Sequence, residues 1–389
     1  MENFKTEVIE NLTQNILPYW IDKMVDPAGG FYGRRDGNDT LDTSAPKGAI
    51  LNARILWTFS AAYRVLRRPE YLEMATRAKR EIIDRFYDPE FGGIYWSLNP
   101  DGTPLDTKKQ FYAIGFAIYG LSEYARATGD KEALDYAIRL FHDIETHSHD
   151  KAKGGYREAA QRDWTPIADM RLSDKDANSS KTMNTHLHII EPYTNLLRVW
   201  PDPGLRTATT DLLNVFFDRI LTPGQRGHLG LFFDDDFHRQ DGIISYGHDI
   251  EASWLLLETA QVLADPGILE KALAQTARIA DAALEGRCVD GSMVYERHAN
   301  GSYDDDKHWW VQAENVIGQA YLWKFHGRAD MLEKSYQTWQ YIKDNLVDPA
   351  GEWHWSRKGT EINRADDKAG FWKCPYHNSR MCLEIASLL

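Results

Sequence analysis

Three histidines and one arginine stand where apolar helical stretches begin, and together they suit proton transfer beside a developing negative charge. His188 lies in Met183-Asn184-Thr185-His186-Leu187-His188, His248 in Tyr246-Gly247-His248-Asp249-Ile250-Glu251, and His377 in Cys374-Pro375-Tyr376-His377-Asn378. An imidazole changes charge near neutral pH, which fits it for general acid and base work. Arg54, between Ala53 and Ile55, keeps its proton in a protein and must meet an anionic or oxygen-rich partner. Two readings are open for it: an internal salt bridge with Glu251 or Glu314, or a charge stabiliser for an oxyanion.

Helical spacing sorts the neighbours. Asn184 and His188 are four apart and share a face, whereas His186 points away from His188. His186-Leu187-His188 is therefore a poor metal clamp, and His186 reads as packing or a loop contact. His248 and Glu251 are three apart, so the carboxylate is expected to orient that imidazole and raise its basicity. Pro192, four residues after His188, removes a backbone hydrogen bond and predicts a kinked helix. The chain carries no GxGxxG, P-loop, HExxH or GxSxG pattern, and its cysteines make no CxxC pair.

A repeat supplies the elements that would hold these residues. Asp26-Pro27-Ala28-Gly29-Gly30-Phe31-Tyr32 recurs as Asp88-Pro89-Glu90-Phe91-Gly92-Gly93-Ile94-Tyr95 and as Asp150-Lys151-Ala152-Lys153-Gly154-Gly155-Tyr156. Weaker copies begin at Thr222 and Asp290, and Asp348-Pro349-Ala350-Gly351-Glu352-Trp353 is the last. The copies are spaced by roughly 65 residues, the period of a two-helix unit with long loops. Asp-Pro stops a helix, Gly-Gly supplies backbone angles closed to other residues, and the aromatic starts a short extended piece.

Between turns the apolar spacing is helical: Ile9, Leu12, Ile16 and Trp20, then Tyr71, Met74, Ala78, Ile82 and Phe86. Helices over 205–220, 268–285 and 330–346 repeat the pattern. Six helix–loop–helix units predict an all-α (α/α)6 barrel of six inner and six outer helices, with residues 1–389 as one catalytic domain. A straight solenoid usually ends in a polar capping helix, whereas this chain ends on the apolar Met381-Cys382-Leu383-Glu384-Ile385. The inner helices open at Lys47, Lys108-Lys109, Lys181, Tyr246, His308 and Phe371. Polar, cationic or aromatic groups at all six starts predict a pocket at one mouth of the barrel.

Composition narrows the ligand. The net charge of −13 argues against phosphate-backbone binding. Thirteen Trp, with aromatics at 12% of the chain, suggest flat faces of the kind that sugars stack on. Cys288, Cys374 and Cys382 give no disulfide framework, and neither a signal segment nor a membrane-spanning apolar run is legible. The expectation is a soluble cytoplasmic protein.

Four long segments, Gly48-Ala49-Ile50-Leu51-Asn52-Ala53-Arg54-Ile55-Leu56-Trp57, Met183 to His188, Gly247-His248-Asp249-Ile250-Glu251-Ala252-Ser253-Trp254 and Trp372-Lys373-Cys374-Pro375-Tyr376-His377-Asn378, closely resemble the cellobiose 2-epimerases of the N-acylglucosamine 2-epimerase superfamily. The likeness runs from the first helix to the last residues. It implies an (α/α)6 barrel and epimerisation at C2 of a reducing-end sugar without cofactor or metal. By position, His248 and His377 resemble the acid/base pair, and Arg54 and His188 the groups that hold enediolate oxygens. Tyr112, Asn184, Glu251, Trp309, Trp310 and Trp372 resemble positions around the bound sugar.

That chemistry opens a pyranose, removes the C2 proton made acidic by the C1 aldehyde, and returns a proton to the opposite face of a cis-enediolate. It calls for two imidazoles, one charged while the other is neutral. The substrate is expected to be a small sugar, a β-1,4-linked disaccharide ahead of free mannose, because Trp309, Trp310 and Trp372 suit a second ring. A mannose 2-epimerase or mannose isomerase acting on the monosaccharide is the alternative. Hydrolysis would need a flanking carboxyl pair drawn from Asp249, Glu251 and Glu314. A sugar-binding protein would have no use for an acid/base pair, and a metal-dependent isomerase would lose activity to a chelator. No nucleic-acid or membrane partner is expected, and the chain reads as a monomer or weak homodimer.

Overall fold

The computed structural model describes residues 2–221 and 226–389. Its helices are α1 Glu2–Asn11, α2 Leu17–Lys23, α3 Ala49–Leu66, α4 Pro69–Glu81, α5 Phe111–Thr128, α6 Lys131–His147 and α7 Met183–Leu197. They continue as α8 Pro203–Val215, α9 Tyr246–Leu263, α10 Pro266–Ala283, α11 Trp309–His326, α12 Met331–Asn345 and α13 Tyr376–Leu388. A π-helical turn, Leu12–Ile16, joins α1 to α2 into one outer helix.

Burial separates the two rings. Along α3 every residue from Ala49 to Ala62 is buried, as befits a helix enclosed on all sides. Along α4 the buried residues include Tyr71, Met74, Ala75 and Ala78, one stripe at three- and four-residue steps. The odd-numbered helices α3, α5, α7, α9, α11 and α13 contact one another in sequence, and α13 returns to α3. The α1–α2 pair, α4, α6, α8, α10 and α12 pack outside them. The result is the closed (α/α)6 barrel, with its apolar core between the rings. Asp130, Asp202 and Asp265 cap α6, α8 and α10 through backbone N–H groups.

The seam between chain ends is polar and specific. Trp20 Nε1 donates to Glu352 Oε2 at 2.6 Å, and Trp339 Nε1 to Glu7 Oε2 at 2.8 Å. Much of the tryptophan surplus thus serves closure of the ring rather than sugar binding.

The repeat in the loops has a mechanical role that its sequence did not announce. Lys47 Nζ donates to Asp26 Oδ2 at 2.8 Å and to the Gly29 carbonyl at 2.7 Å. Lys109 does the same to Asp88 and Gly92, and Lys181 to Asp150 and Gly154. Each lysine opens an inner helix and is tied back to the turn before it, so these lysines do not line the mouth as predicted. The first amide of four inner helices then reaches the following unit: Ala49 N donates to Trp96 O, Phe111 N to Glu158 O, Met183 N to Leu231 O and Trp309 N to Trp355 O. Short antiparallel pairs such as Lys47–Gly48 with Ser97–Leu98 complete these staples. Gly93, at φ +65°, could not take a side chain there, because a Cβ would lie 2.7 Å from the Trp164 ring. In the fourth copy, Thr222, Pro223 and Gly224 lie outside the described residues.

The lumen is polar along its length. Helical steps of three and four place His188, Glu191, Asn195 and Arg198 on one stripe of α7, and His377, Arg380 and Glu384 on one stripe of α13. At the far end Glu191, Asn195, Arg198, Glu258, Glu384, Arg64 and Glu123 share one small cavity. Among the described residues, no helix is long and apolar enough to cross a membrane.

Candidate active site

Arg54 decides between its two readings. Its Nη2 donates to the Tyr112 hydroxyl at 2.8 Å and its Nη1 lies 3.8 Å from Cys374 Sγ. The guanidinium carbon sits 4.2 Å from the Phe116 ring centroid and 5.0 Å from that of Tyr376. It is 3% exposed, Nε has no hydrogen-bond partner, and no described carboxylate pairs with it. The internal salt bridge with Glu251 or Glu314 does not form. A buried cation held by phenol, thiol and aromatic faces is a standing attraction for an anion brought by a ligand.

The three imidazoles come together around the same axis. His188 Nδ1 lies 2.8 Å from Glu191 Oε2, and His377 Nδ1 lies 2.7 Å from Glu314 Oε1. A carboxylate accepts only, so both rings carry their proton on Nδ1 when neutral and leave Nε2 as a bare base. His248 differs, for its Nδ1 meets the Ser245 hydroxyl at 2.8 Å. Its predicted partner, Glu251, is turned to Arg380 instead. The H-x-x-E spacing read at His248 and Glu251 is realised at His188 and Glu191, where both residues point into the lumen.

Burial lowers the proton affinity of all three rings. His248 is pushed down to about 3, by burial first and then by the nearby His188. His377 falls well below the usual imidazole range through burial and the charges of Arg54 and Arg380. His188 is lowered by burial against the opposing pull of Glu191. Burial thus favours the neutral form of each ring, opposed at His188 by the Glu191 carboxylate.

Arg380 was missed in the sequence and organises the layer beneath. Its Nη2 donates to Glu251 Oε1 at 2.9 Å and to Glu314 Oε1 at 2.7 Å, while Nη1 meets Glu191 and the Tyr376 hydroxyl. Trp254 Nε1 adds a bond to Glu314 at 2.8 Å. The visible signal was periodicity alone: Arg380 follows His377 by three, as Glu191 follows His188. Ligand atoms of Glu251, Glu314 and His377 lie within 4.8 Å of one another, as do those of Asp304, Asp306 and His308 at the rim. In the first set the guanidinium of Arg380 is already bonded to both glutamates, and burial with the Glu314 charge holds Glu251 well above the usual carboxylate range. The guanidinium also takes both from the role of a free carboxyl pair, and Asp249 is bound to His228 at 2.7 Å.

Aromatic faces line the mouth. Trp310 lies 4.8 Å from His248 and 5.6 Å from His377 between ring centroids. Trp372 lies 6.0 Å from Tyr112 and 6.1 Å from Trp96, which sequence reasoning did not single out. Trp309 is buried against Trp355 at 4.8 Å, with its indole N–H unpaired. Asn184 is half-buried one turn above His188, and its Oδ1 has no partner. His186 stands apart as expected, taking the Tyr156 amide at Nε2 and the Thr182 carbonyl at Nδ1. Pro192 does not break α7, which runs on to Leu197.

The site's likeness to known proteins is extensive. The family profile of N-acylglucosamine 2-epimerase (GlcNAc 2-epimerase) matches residues 30–379. The chain is 58% identical over 388 residues to a cellobiose 2-epimerase of Bacteroides fragilis, covering 99% of each. It is 40% identical to a cellobiose 2-epimerase of Ruminococcus albus, covering 98% of this chain and 97% of that one. The solved structure of the cellobiose 2-epimerase from Bacillus thermoamylovorans superposes with a TM-score of 0.94 at 36% identity, covering 100% of both chains. Closed barrel, imidazole set and full-length similarity agree: the chain belongs to the N-acylglucosamine 2-epimerase family.

Proposed function

We propose that this enzyme inverts C2 of the reducing-end sugar of β-1,4-linked disaccharides, turning cellobiose into glucosyl-mannose and acting likewise on lactose or mannobiose. The observation that carries the reading is Arg54, a buried cation with no described carboxylate of its own beside three imidazoles. The reaction generates what that arrangement lacks. One imidazole, neutral, removes the C2 proton and becomes charged, while the other, charged, returns its proton to the opposite face. Arg54 receives the charge on the enediolate oxygens, and the bare Nε2 of His188 holds a substrate hydroxyl by accepting its hydrogen. His248 and His377 serve the two faces of C2. Each preorganised donor to such an oxyanion contributes about 3 kcal/mol to the barrier reduction. C2 is inverted with no net change in oxidation state, so proton transfer alone balances the reaction and no cofactor is invoked. Tyr112, Asn184, Glu251, Trp309, Trp310 and Trp372 surround the sugar in this reading.

Trp372 beside Trp96 offers a platform past the reacting ring, which favours a disaccharide over free mannose. Residues 1–389 act as one catalytic domain, in the cytoplasm, as a monomer or weak homodimer without nucleic-acid or membrane partner. The test is incubation with cellobiose in D₂O, followed by NMR of the C2 proton. Deuterium at C2 together with the manno epimer supports the assignment. Release of glucose, or exchange with free mannose alone, contradicts it.

A further inference from the structure

Two of the imidazoles are joined through the floor of the site. From His188 Nδ1 a chain of contacts runs to Glu191, then to Arg380, then to Glu314 and finally to His377 Nδ1. One guanidinium thus stands behind both rings, and its remaining reach holds Glu251. All four charged groups are 3% exposed or less. Rings of Trp254 and Tyr376 sandwich the guanidinium, at 4.7 and 4.3 Å from its carbon.

We propose that Arg380 is the positioning residue of this site, fixing the tautomers of His188 and His377 together and tempering the proton affinity of both. The proposal rests on the proton-transfer reading above. Its logic is electrostatic. A buried carboxylate behind an imidazole raises that ring's proton affinity, and a cation shared by three carboxylates limits the rise. Without Arg380, Glu191 and Glu314 would face the rings with their charge uncompensated, while Glu251, held well above the usual carboxylate range by burial and Glu314, adds little charge. His377 would then hold a second proton at neutral pH and cease to be a base, and His188 would lose the bare Nε2 it turns to the substrate.

Other charged or titratable groups face these rings: Arg54 from α3, Tyr112 and Tyr119 from α5, His248 from α9, and Cys374 and Tyr376 from the final segment. None of them bridges two carboxylates. Lysine at 380 keeps the charge and loses the planar fork that serves three acceptors. It therefore separates charge from geometry.

The experiment is the pH profile of kcat/KM for R380M, R380K and E314Q, with ¹⁵N NMR of the histidine rings as a readout independent of turnover. In R380M the acid limb is expected to move up by about one pH unit or more, with about tenfold less activity at pH 7 per unit. In R380K the limb stays near that of the parent enzyme despite a lower rate. E314Q removes the carboxylate and keeps the cation, so its limb moves down. If R380M fails to fold, R380K and E314Q carry the test alone. A uniform loss at every pH in R380M, or an E314Q limb that stays in place or moves up, overturns the proposal. Histidine rings that keep the Nδ1–H tautomer in R380M overturn the tautomer part. A parent enzyme without C2 exchange, by contrast, removes the epimerase reading and leaves the NMR titration to judge Arg380.

Discussion

A Cβ placed on Gly115 of α5 would lie 2.2 Å from the backbone carbonyl oxygen of His188 on α7. Pro192 explains the contact. It has no N–H to give that carbonyl, and the freed oxygen packs against Gly115, a neighbour without a side chain. The packing that seats His188 therefore depends on a glycine on another helix. Gly115→Ala is expected to destabilise the fold by about 1–3 kcal/mol, the usual range for overpacking, and to lower kcat/KM at least tenfold as His188 is displaced. Thermal melts and steady-state kinetics check this, and an unchanged rate would mean that His188 tolerates the shift.

Arg54→Met separates function from stability. Loss of an oxyanion donor predicts a fall in kcat of about a hundred- to a thousand-fold. The same change removes an unpaired buried cation from an aromatic cage, so the melting temperature should hold or rise. A variant that unfolds while the remaining native fraction keeps full activity would reverse the assignment.

Lys109→Met should do the opposite. Lys109 and Asp88 are both fully buried and pair at 2.9 Å, and Arg162 reaches the same carboxylate at 2.8 Å. Asp88 keeps its pair with Arg162, so losing the ammonium's bonds to Asp88 and the Gly92 carbonyl costs about 1–3 kcal/mol. Calorimetry should find a less stable protein whose folded molecules, assayed at low temperature, keep nearly the parent kcat.

At the rear of the lumen, burial and the neighbouring Glu258 push Glu384 up to about 7. An unfolded glutamate titrates near 4.3. The folded state thus binds this proton more tightly, so the contribution to stability is present at low pH and is lost as pH rises from about 4 through 7. Glu384→Gln stays neutral throughout. It should melt above the parent at pH 8, by less at pH 5, and level with it only below about pH 4, and equal melts at pH 8 would discount the repulsion.

Helix boundaries and the barrel were legible because turns and apolar stripes are local signals. Five of the six inner helices start within three residues of the openings read for them, α13 starts five residues late at Tyr376, and α8, α10 and α12 fall within the spans read around 205–220, 268–285 and 330–346. Arg54 and the three histidines were legible because a polar residue in an apolar helix has few other uses. What lay beyond reach was pairing across the barrel. Arg380 joins Glu191, Glu251 and Glu314 from three other helices, and no spacing within one helix encodes that meeting. The same limit misassigned Glu251 to His248, since three-residue spacing permits a contact without choosing between neighbours. Lys47, Lys109 and Lys181 were misplaced at the mouth because their partners lie back in the preceding turn.

The central claim is that two imidazoles move the C2 proton. It is tested most directly by following C2 deuterium entry from D₂O into cellobiose with the parent enzyme, His248→Ala and His377→Ala, each confirmed folded by its melt. The account predicts exchange and epimer from the parent enzyme and neither from the two variants. Substantial epimer formation by either variant would contradict it.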